Sequence, residues 1–230
     1  MNAFLFCAIN WLSVLKNSST SAFSMIKKDA LLYMQADLCD LRFFNLCCLE
    51  LALTCRDFRM NILIRIVSSN LPIASSFCES LLFYLYGSTV SRNASLLAPI
   101  RFSHARSIVI GGNVCFSRCS FVYIFNNVTI GKASPAARDR EMPTFKGSSF
   151  FGVGSVVLGS VVCEGDVVFG ANSFISNTTV PCSSTVLGFG EVKKGVFFED
   201  VRFPFIPLRP YRIAGLLNSI LVKLASFVNP

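Results

Sequence analysis

The sequence is short of charge, of histidine and of long apolar runs. Only 15% of its 230 residues are charged, whereas 53% are hydrophobic and 23 are phenylalanine. A chain of this length with so much apolar surface is not globally disordered, and we expect it to self-associate. The apolar run at residues 3–15 is too short to span a bilayer. No positive residue precedes that run, which disfavours a signal peptide.

Two further shortages limit the chemistry. The chain has a single histidine and no CxxC pair, so a zinc site with standard spacing is disfavoured and we predict no metal. Its ten cysteines occur singly or as Cys47–Cys48, in a chain too large to need disulfide staples, which favours a reducing cytoplasm. The net charge of +8 suits an anionic partner such as nucleic acid, a lipid surface or a phosphorylated cofactor, but does not choose between them. We expect no nucleic-acid partner.

Glycine is missing before Gly87, and this divides the chain. Residues 25–86 are rich in helix-forming residues and predict two or three helices, with a break near Pro72. After Gly87 the β-branched residues, glycine, serine and asparagine of a β domain take over. We therefore predict a dispensable extension at 1–24, a helical region at 25–86, a β domain at 87–195, and a tail at 196–230 with a short amphipathic helix over 213–228.

The β domain carries an internal repeat of six residues. Its apolar positions are Phe145, Phe151, Val157, Cys163, Phe169 and Ile175. Four residues after each of these lies a small or β-branched residue, and we expect both tracks to point inward: Ser149, Ser155, Val161, Val167, Ser173 and Thr179. Three such hexads make one triangular coil of a parallel β-helix.

The earlier half of the domain follows the same rule with slips. Inward positions are predicted at Val90, Ala94, Leu96, Ile100, Phe102, Ile110, Val114, Phe116, Ile124, Val128 and Ile130. Two of the steps, from Phe102 to Ile110 and from Phe116 to Ile124, are eight residues long. The polar, proline-bearing segment between Gly131 and Phe145 predicts a loop outside the solenoid.

These segments resemble a known family. IVIGGNV, IFNNVTIG and PTFKGSSFFGVGSVVLGSVVCEGDVVFGANSFI are similar to the hexapeptide repeats of serine acetyltransferase-like enzymes, over about residues 87–195. Upstream, IKKDALLYM and CRDFRMNILIRI resemble the helical lead-in of the branch found in polysaccharide and O-antigen gene clusters. The resemblance implies a mainly β fold, a left-handed parallel β-helix with an N-terminal helical cap and a short C-terminal helix.

The resemblance also implies a catalytic base. The family has a histidine on an eight-residue step before a stretch like GIVIG, and RFSHARSIVIG places His104 there. It would take a proton from an acceptor hydroxyl while that oxygen attacks an acetyl thioester. The family's orienting aspartate is matched by Thr89 and its second histidine by Met142. Asp139 and Glu141 lie in the loop, where a charged side chain is more often simply solvated than catalytic.

Acetyl-CoA is the implied acyl donor. In the family it lies in a groove between coils of two subunits and its phosphates meet basic residues near the last coils. The matching positions here are Gly152, Gly170, Ala171, Lys193 and Lys194. Glycines are also what solenoid corners require, and a lysine pair is also what a solvated end would carry.

Three functions follow from these observations. The first is an O-acetyltransferase acting on a hydroxyl of a glycan or glycan precursor, which the departures at Thr89 and Met142 favour. The second is serine O-acetyltransferase of cysteine biosynthesis, and the third is a non-catalytic β-helix that binds partners. Retention of His104 argues against the third.

The family places its active site between subunits, so we predict a homotrimer with exposed phenylalanine buried at its interfaces. Sedimentation velocity should give three times the mass of the 25.3 kDa chain. An active monomer at micromolar concentration would contradict a site shared between subunits.

Overall fold

The computed structural model describes residues 20–34, 48, 51–69, 71–117, 121–134 and 141–195. Three helices come first, α1 at Thr20–Met34, α2 at Arg56–Val67 and α3 at Pro72–Tyr86, with a helical turn at 51–54 between α1 and α2. α3 has proline in its first turn and ends at Gly87, whose left-handed φ of 59° suits a glycine. The tail at 196–230, with its predicted helix, lies outside the described residues.

The first helix crosses a predicted boundary. Helix α1 begins at Thr20, and Ala22 in its first turn is buried, with 8% of its surface exposed. Residues 20–24 therefore belong to the helical region and not to a separate extension. Truncation at residue 24 would remove the start of α1 together with a buried side chain.

Sixteen strands follow the helices in the described part of the chain and form three sheets. Sheet A contains β1 Thr89–Val90, β4 Val109–Ile110, β7 Thr129–Gly131, β10 Val156–Leu158 and β13 Phe174–Ser176. Sheet B contains β2 Ser95–Leu96, β5 Cys115–Phe116, β8 Thr144–Phe145, β11 Val162–Cys163 and β14 Thr179–Val180. Sheet C contains β3 Ile100–Phe102, β6 Val122–Ile124, β9 Ser149–Phe151, β12 Val167–Phe169, β15 Ser184–Leu187 and β16 Glu191–Lys194.

The order of these strands is that of a solenoid. Every third strand joins the same sheet, so each coil supplies one strand to A, one to B and one to C before the next coil stacks on it. Among the described strands all pairs are parallel except β15 with β16, which are antiparallel and lie at the end of the described stack. The predicted parallel β-helix is confirmed.

The interior of the solenoid is filled by the predicted repeat. Phe116 stacks on Phe145 with ring centroids 4.8 Å apart, and Phe151 stacks on Phe169 at the same distance. All six positions of the apolar track from Phe145 to Ile175 are buried, as are the eleven predicted in the earlier half. Each coil thus packs identical or similar side chains on those of the next coil.

The second track fails at its last position. Thr179 is exposed, and the buried residue of its strand is Val180, which is in register with Cys163 of the apolar track. Val180 pairs with Cys163, seventeen residues earlier, whereas Cys163 pairs with Phe145, eighteen residues earlier. The last coil is one residue shorter, and a shift of one residue in a strand exchanges its inward and outward faces.

The helical region covers the open edge of the first coil. Arg65 of α2 and Asp29 of α1 form a buried ion pair, with Nε to Oδ2 at 2.8 Å and Nη2 to Oδ1 at 2.8 Å. Arg65 also donates to the carbonyl oxygens of Leu96 and Ala98, and the Ile100 amide donates to Asp29 at 2.7 Å. Burial raises the pKa of Asp29, while the charge and hydrogen bonds of Arg65 oppose that shift.

Two neutral side chains extend this cover along β3. The Tyr33 hydroxyl accepts a hydrogen bond from the Phe102 amide at 2.9 Å and donates to the Phe102 carbonyl at 3.3 Å. Burial raises the pKa of Tyr33 well above its ordinary value, which keeps this hydroxyl protonated and able to donate. Asn61 donates from Nδ2 to the Ile100 carbonyl at 2.6 Å. Side chains from the helices thus replace the strand that β3 lacks on its outer edge.

None of the helices in the described part of the chain has the length and apolar character needed to cross a membrane.

The buried pair gives a stability prediction. Asp29→Ala should lower the free energy of unfolding by about 3–5 kcal/mol, because it leaves a buried guanidinium and the Ile100 amide without their partner. Urea unfolding followed by circular dichroism measures this. The matched control is Glu79→Ala, which removes the partner of Arg92 in an exposed ion pair of 2.6 Å and should change stability little. Equal losses in the two variants would contradict the role given to Asp29.

Candidate functional site

His104 lies at the corner between sheets C and A, where the first coil passes into the second. The corner is one of the predicted eight-residue steps, and residues 103–107 lie in it between β3 and β4. His104 has a φ of 56°, a left-handed conformation that is uncommon for histidine, and its side chain is exposed. Its ring centre is 6.5 Å from that of Phe125 on the next coil.

Asp57 holds this corner through the backbone. Its carboxylate accepts the His104 amide at 3.0 Å through Oδ2 and the Ala105 amide at 2.9 Å through Oδ1. Asp57 lies in the first turn of α2, where the helix dipole favours a negative charge. Two charge-assisted hydrogen bonds to consecutive amides therefore fix the turn that carries the imidazole. Within the described part of the chain, the imidazole itself has no hydrogen-bond partner.

An open pocket of about 380 Å³ lies beside the imidazole. It is lined by Arg56, Asp57, His104, Ala105, Arg106 and Asn126. The helical region supplies the first two residues, the first corner the next three, and the second coil the last. The lining thus includes two exposed arginines and one described carboxylate, which is engaged with backbone amides.

Tyr86 and α3 position Arg56. Its Nη2 donates to the Leu85 carbonyl at 3.0 Å, and its guanidinium carbon lies 5.2 Å from the centre of the Tyr86 ring. The Tyr86 hydroxyl in turn donates to the Arg56 carbonyl at 3.0 Å. Burial raises the pKa of Tyr86, so this hydroxyl stays protonated and donates.

The residues matched to the family's other catalytic groups do not join this pocket. Thr89 is exposed on β1 of sheet A, where it pairs with Val109, and it is not among the described residues that line the pocket. Met142 is buried, and its terminal methyl approaches Gly111 in the packed interior. Asp139 lies outside the described residues, and Glu141 is half-buried near the end of the loop.

Three of the five predicted donor-binding residues lie along the same corner as His104. The residues directly after the parallel strands of sheet C are Ser103, Phe125, Gly152, Gly170 and Gly188. The next position along the chain holds His104, Asn126, Val153, Ala171 and Phe189. With strands about 4.8 Å apart, Ala171 lies roughly 14 Å along the corner from His104.

The two glycines at this corner have a packing role of their own. The Gly152 amide donates to the Phe169 carbonyl at 2.8 Å and the Gly170 amide to the Val186 carbonyl at 2.9 Å, so both amides are engaged within the ladder. A Cβ on Gly152 would lie 2.7 Å from the Ala171 nitrogen, which forbids a side chain there. Ala171 is exposed and is the member of the three that is open to a ligand.

The lysine pair lies at the far end of sheet C. Lys193 and Lys194 are on β16 and pair with Thr185 and Ser184 of β15. Lys193 forms an exposed ion pair with Glu191 at 3.1 Å, and Lys194 is exposed. β16 is the fifth strand beyond β3 in this sheet, so the pair lies roughly 24 Å from the strand that leads into His104.

Sequence reasoning missed Asp57, Arg56 and Arg106. An acidic residue in the first turn of a helix is common, and nothing in the sequence pairs Asp57 with an amide 47 residues later. Arg106 is only two residues from His104, and this proximity was the one feature of the sequence that could have placed it in the same pocket. Among the described residues, no group of three histidine, cysteine or acidic side chains forms a metal-binding cluster.

Solved structures share the fold. Serine acetyltransferase from Neisseria gonorrhoeae matches with a TM-score of 0.64 and 18% identity, covering 80% of this chain and 71% of that one. Soybean serine acetyltransferase complexed with serine matches with a TM-score of 0.62 and 20% identity, over 79% of this chain and 73% of that one. The Brucella abortus serine acetyltransferase in complex with coenzyme A matches with a TM-score of 0.63 and 18% identity, covering 80% of this chain and 72% of that one.

At this level of identity the likeness shows the fold, and it confirms the predicted left-handed β-helix with a helical cap. No protein-family model and no curated protein sequence matches the chain.

The link between Asp57 and the corner can be tested directly. Asp57→Ala should raise the hydrogen-exchange rates of the His104 and Ala105 amides at least about 10-fold, because each loses a charge-assisted bond of about 1.5–3 kcal/mol. Exchange measured by NMR reports both amides. Asp166→Ala is the matched control, since Asp166 accepts the Ser148 amide at 2.6 Å on another coil. Unchanged exchange at residues 104 and 105 in Asp57→Ala would contradict the anchoring.

Proposed function

We propose that this protein is an O-acetyltransferase that moves an acetyl group from acetyl-CoA to an acceptor hydroxyl, with His104 as general base. The observation that carries the proposal is the position of the chain's single histidine. It is exposed at a rigidly held corner, beside an open pocket, on the edge of the solenoid where the predicted donor-binding positions lie. Similarity in fold to serine acetyltransferases, one of them in complex with coenzyme A, supports the same chemistry.

His104 would work by moving one proton twice. Its neutral imidazole accepts the proton of the acceptor hydroxyl as the oxygen forms a bond to the thioester carbonyl carbon. The imidazolium then returns that proton to the departing sulfur as the carbon–sulfur bond breaks. The products are an acetyl ester and the free thiol of coenzyme A, and no acyl-enzyme is needed.

Two features of the corner suit this role. The positive φ of His104 lifts its side chain away from the packed coil, and the Asp57 bonds keep it there without occupying an imidazole nitrogen. Positioning of the backbone by Asp57 would take over part of the role of the family's orienting aspartate, which is matched here by Thr89. The imidazole ring has no hydrogen-bond partner among the described residues, so the acceptor would order its side-chain torsions on binding.

The donor would lie along the same corner. Ala171 is the exposed position there. At the end of sheet C, Lys193 forms an ion pair with Glu191, so Lys194 is the better candidate for a contact with a phosphate of the donor. When bound, acetyl-CoA supplies the activated acyl group.

Of the two acceptors weighed from the sequence, serine has the better support. The similar structures are serine acetyltransferases, and the soybean enzyme is complexed with serine. The prediction of a glycan acceptor rested on two differences from the family, Thr89 in place of the orienting aspartate and Met142 in place of the second histidine. The hydrogen bonds from the His104 and Ala105 amides to Asp57 offer another explanation for the first difference, since they position the base from a different residue.

His104→Asn tests the proposal. Asparagine tolerates a left-handed φ, so the melting temperature should stay within a few degrees of the wild type. Turnover, measured as free thiol release from acetyl-CoA with serine and with neutral sugars and oligosaccharides, should fall about 100- to 10,000-fold. Affinity for coenzyme A, measured by calorimetry, should scarcely change.

Ser107→Asn is the control for that experiment. Ser107 is exposed on the same corner with a φ of 53°. The substitution therefore also places an asparagine in a left-handed conformation, and it leaves the imidazole unchanged. Turnover of this variant should equal that of the wild type. If the His104→Asn variant acetylates as fast as wild type, His104 is not the base; if the wild type itself releases no thiol with any acceptor, a binding module becomes the better account of the chain.

A further inference from the structure

We propose that the solvent-facing side of helix α3 is a docking surface for an anionic lipid bilayer, on which the protein lies without crossing it. The proposal goes beyond acetyl transfer, because it concerns a surface of the helical region and not the corner at His104. Two observations carry it: the large apolar side chains that α3 exposes, and the arginines that lie at its end.

Helix α3 is apolar on the side that faces solvent as well as on the side that packs. Its buried residues lie on one side of the helix: Ser75, Cys78, Leu82 and Tyr86. The opposite side exposes four large side chains, which we call the α3 patch: Ile73 at 88%, Phe77 at 59%, Phe83 at 67% and Tyr84 at 86%. A helix that is hydrophobic all round is normally covered on every side.

The α3 patch carries no charge of its own. The only charged residue of α3 is Glu79, and Arg92 neutralises it through two hydrogen bonds of 2.9 and 2.6 Å. The residues between the large side chains of the patch include the exposed serines Ser76 and Ser80. Such a face is suited to the head-group region of a bilayer, where aromatic side chains and hydroxyls are both well solvated.

Positive charge lies at the C-terminal end of the patch. Arg56 is exposed, donates to the Leu85 carbonyl at 3.0 Å and lies over the Tyr86 ring. One helical turn later, Arg59 donates to the carbonyl of the exposed Leu53 at 2.8 Å. Neither guanidinium group forms an ion pair with another residue of the described chain. Apolar and basic groups thus occur together, as in helices that bind anionic membrane surfaces.

The balance of charge favours lipid over a second copy of the chain. Every acidic residue in the described ranges already has a partner, through an ion pair, a backbone amide or another polar contact. A second copy packed on the patch would therefore bury Arg56 and Arg59 with no free carboxylate from the described chain to meet them, which is costly. Lipid head groups supply phosphates and carboxylates that bind arginine, while its apolar stem stays in the interface.

The length of α3 limits how it meets the bilayer. Its 15 residues are too few to cross the hydrocarbon core, so the helix would lie in the plane of the membrane surface. Arg56 belongs both to the edge of the patch and to the lining of the pocket beside His104. Docking through α3 would therefore hold this pocket near the membrane surface.

Vesicle flotation of the full-length protein tests the proposal without any substrate. We expect the protein to float with vesicles of phosphatidylcholine and phosphatidylserine, and to float little with phosphatidylcholine alone. High salt should weaken the interaction, because it screens the arginines from the head groups. Arg56→Gln should weaken binding to the anionic vesicles about 5-fold, the usual contribution of one basic residue near such a surface.

A pair of opposite charges at Ser80 separates lipid from protein as the partner. Ser80 is exposed within the patch, and its hydroxyl donates only within the helix, to the Ser76 carbonyl at 3.1 Å. Ser80→Glu should weaken vesicle binding at least about 10-fold, because it sets a negative charge against the head groups. Ser80→Lys introduces a side chain of similar length and helix propensity, and it should bind at least as well as the wild type.

The apolar contribution has its own variant and control. Phe77→Ser should weaken binding about 10-fold, because it removes apolar surface from the contact. The matched control is Phe189→Ser, since Phe189 is 93% exposed but follows β15 at the far end of the solenoid. This variant should bind vesicles like the wild type. Both aromatic side chains are largely exposed, so melting temperatures measured by circular dichroism should change little.

Three results would overturn the proposal. The first is a wild-type protein that does not float with anionic vesicles. The second is flotation that Phe77→Ser and Ser80→Glu both retain, which would place the lipid contact elsewhere in the chain. The third is equal loss of flotation in Ser80→Glu and Ser80→Lys, which, with a smaller mass in sedimentation velocity, would identify the patch as a contact between copies. None of these outcomes depends on acetyl transfer.

Discussion

The structure depends on how the free edge of its first coil is satisfied. A parallel solenoid presents unpaired amides and carbonyls at each end, and every later coil uses the one before it as a template. Here the Asp29–Arg65 pair, Asn61 and Tyr33 supply the missing hydrogen bonds to β3 and to the chain just before it. The described helices therefore pack on the first coil in the position that a further coil would occupy, without contributing a strand.

The candidate site is built by the same device, one step further along the chain. Asp57 does for His104 and Ala105 what Asp29 does for Ile100, since in each case a helical carboxylate accepts amides at the edge of the first coil. The cap and the site are in this sense one structure. A change in how α2 sits on the coil would alter the orientation of the imidazole and the position of Arg56 together.

The sequence predicted the solenoid well because its repeat is local. Phe145, Phe151 and Phe169 are buried where the six-residue period places them. The exception at Thr179 arises from a deletion of one residue, which a fixed period cannot follow. Contacts such as Asp29 with Arg65, or Asp57 with His104, join residues 36 and 47 positions apart and leave no periodic trace.

The antiparallel strand β16 gives the solenoid a definite end. Because β15 is covered by a strand that turns back on it, the stack closes at a fixed number of coils, with Lys193 and Lys194 on its last strand. Each coil inserted or deleted between β3 and β15 would move those lysines by about 4.8 Å relative to His104 and leave the pocket unchanged. The number of coils therefore sets the distance between the two lysines and His104, and with it the length that a molecule would need to contact both.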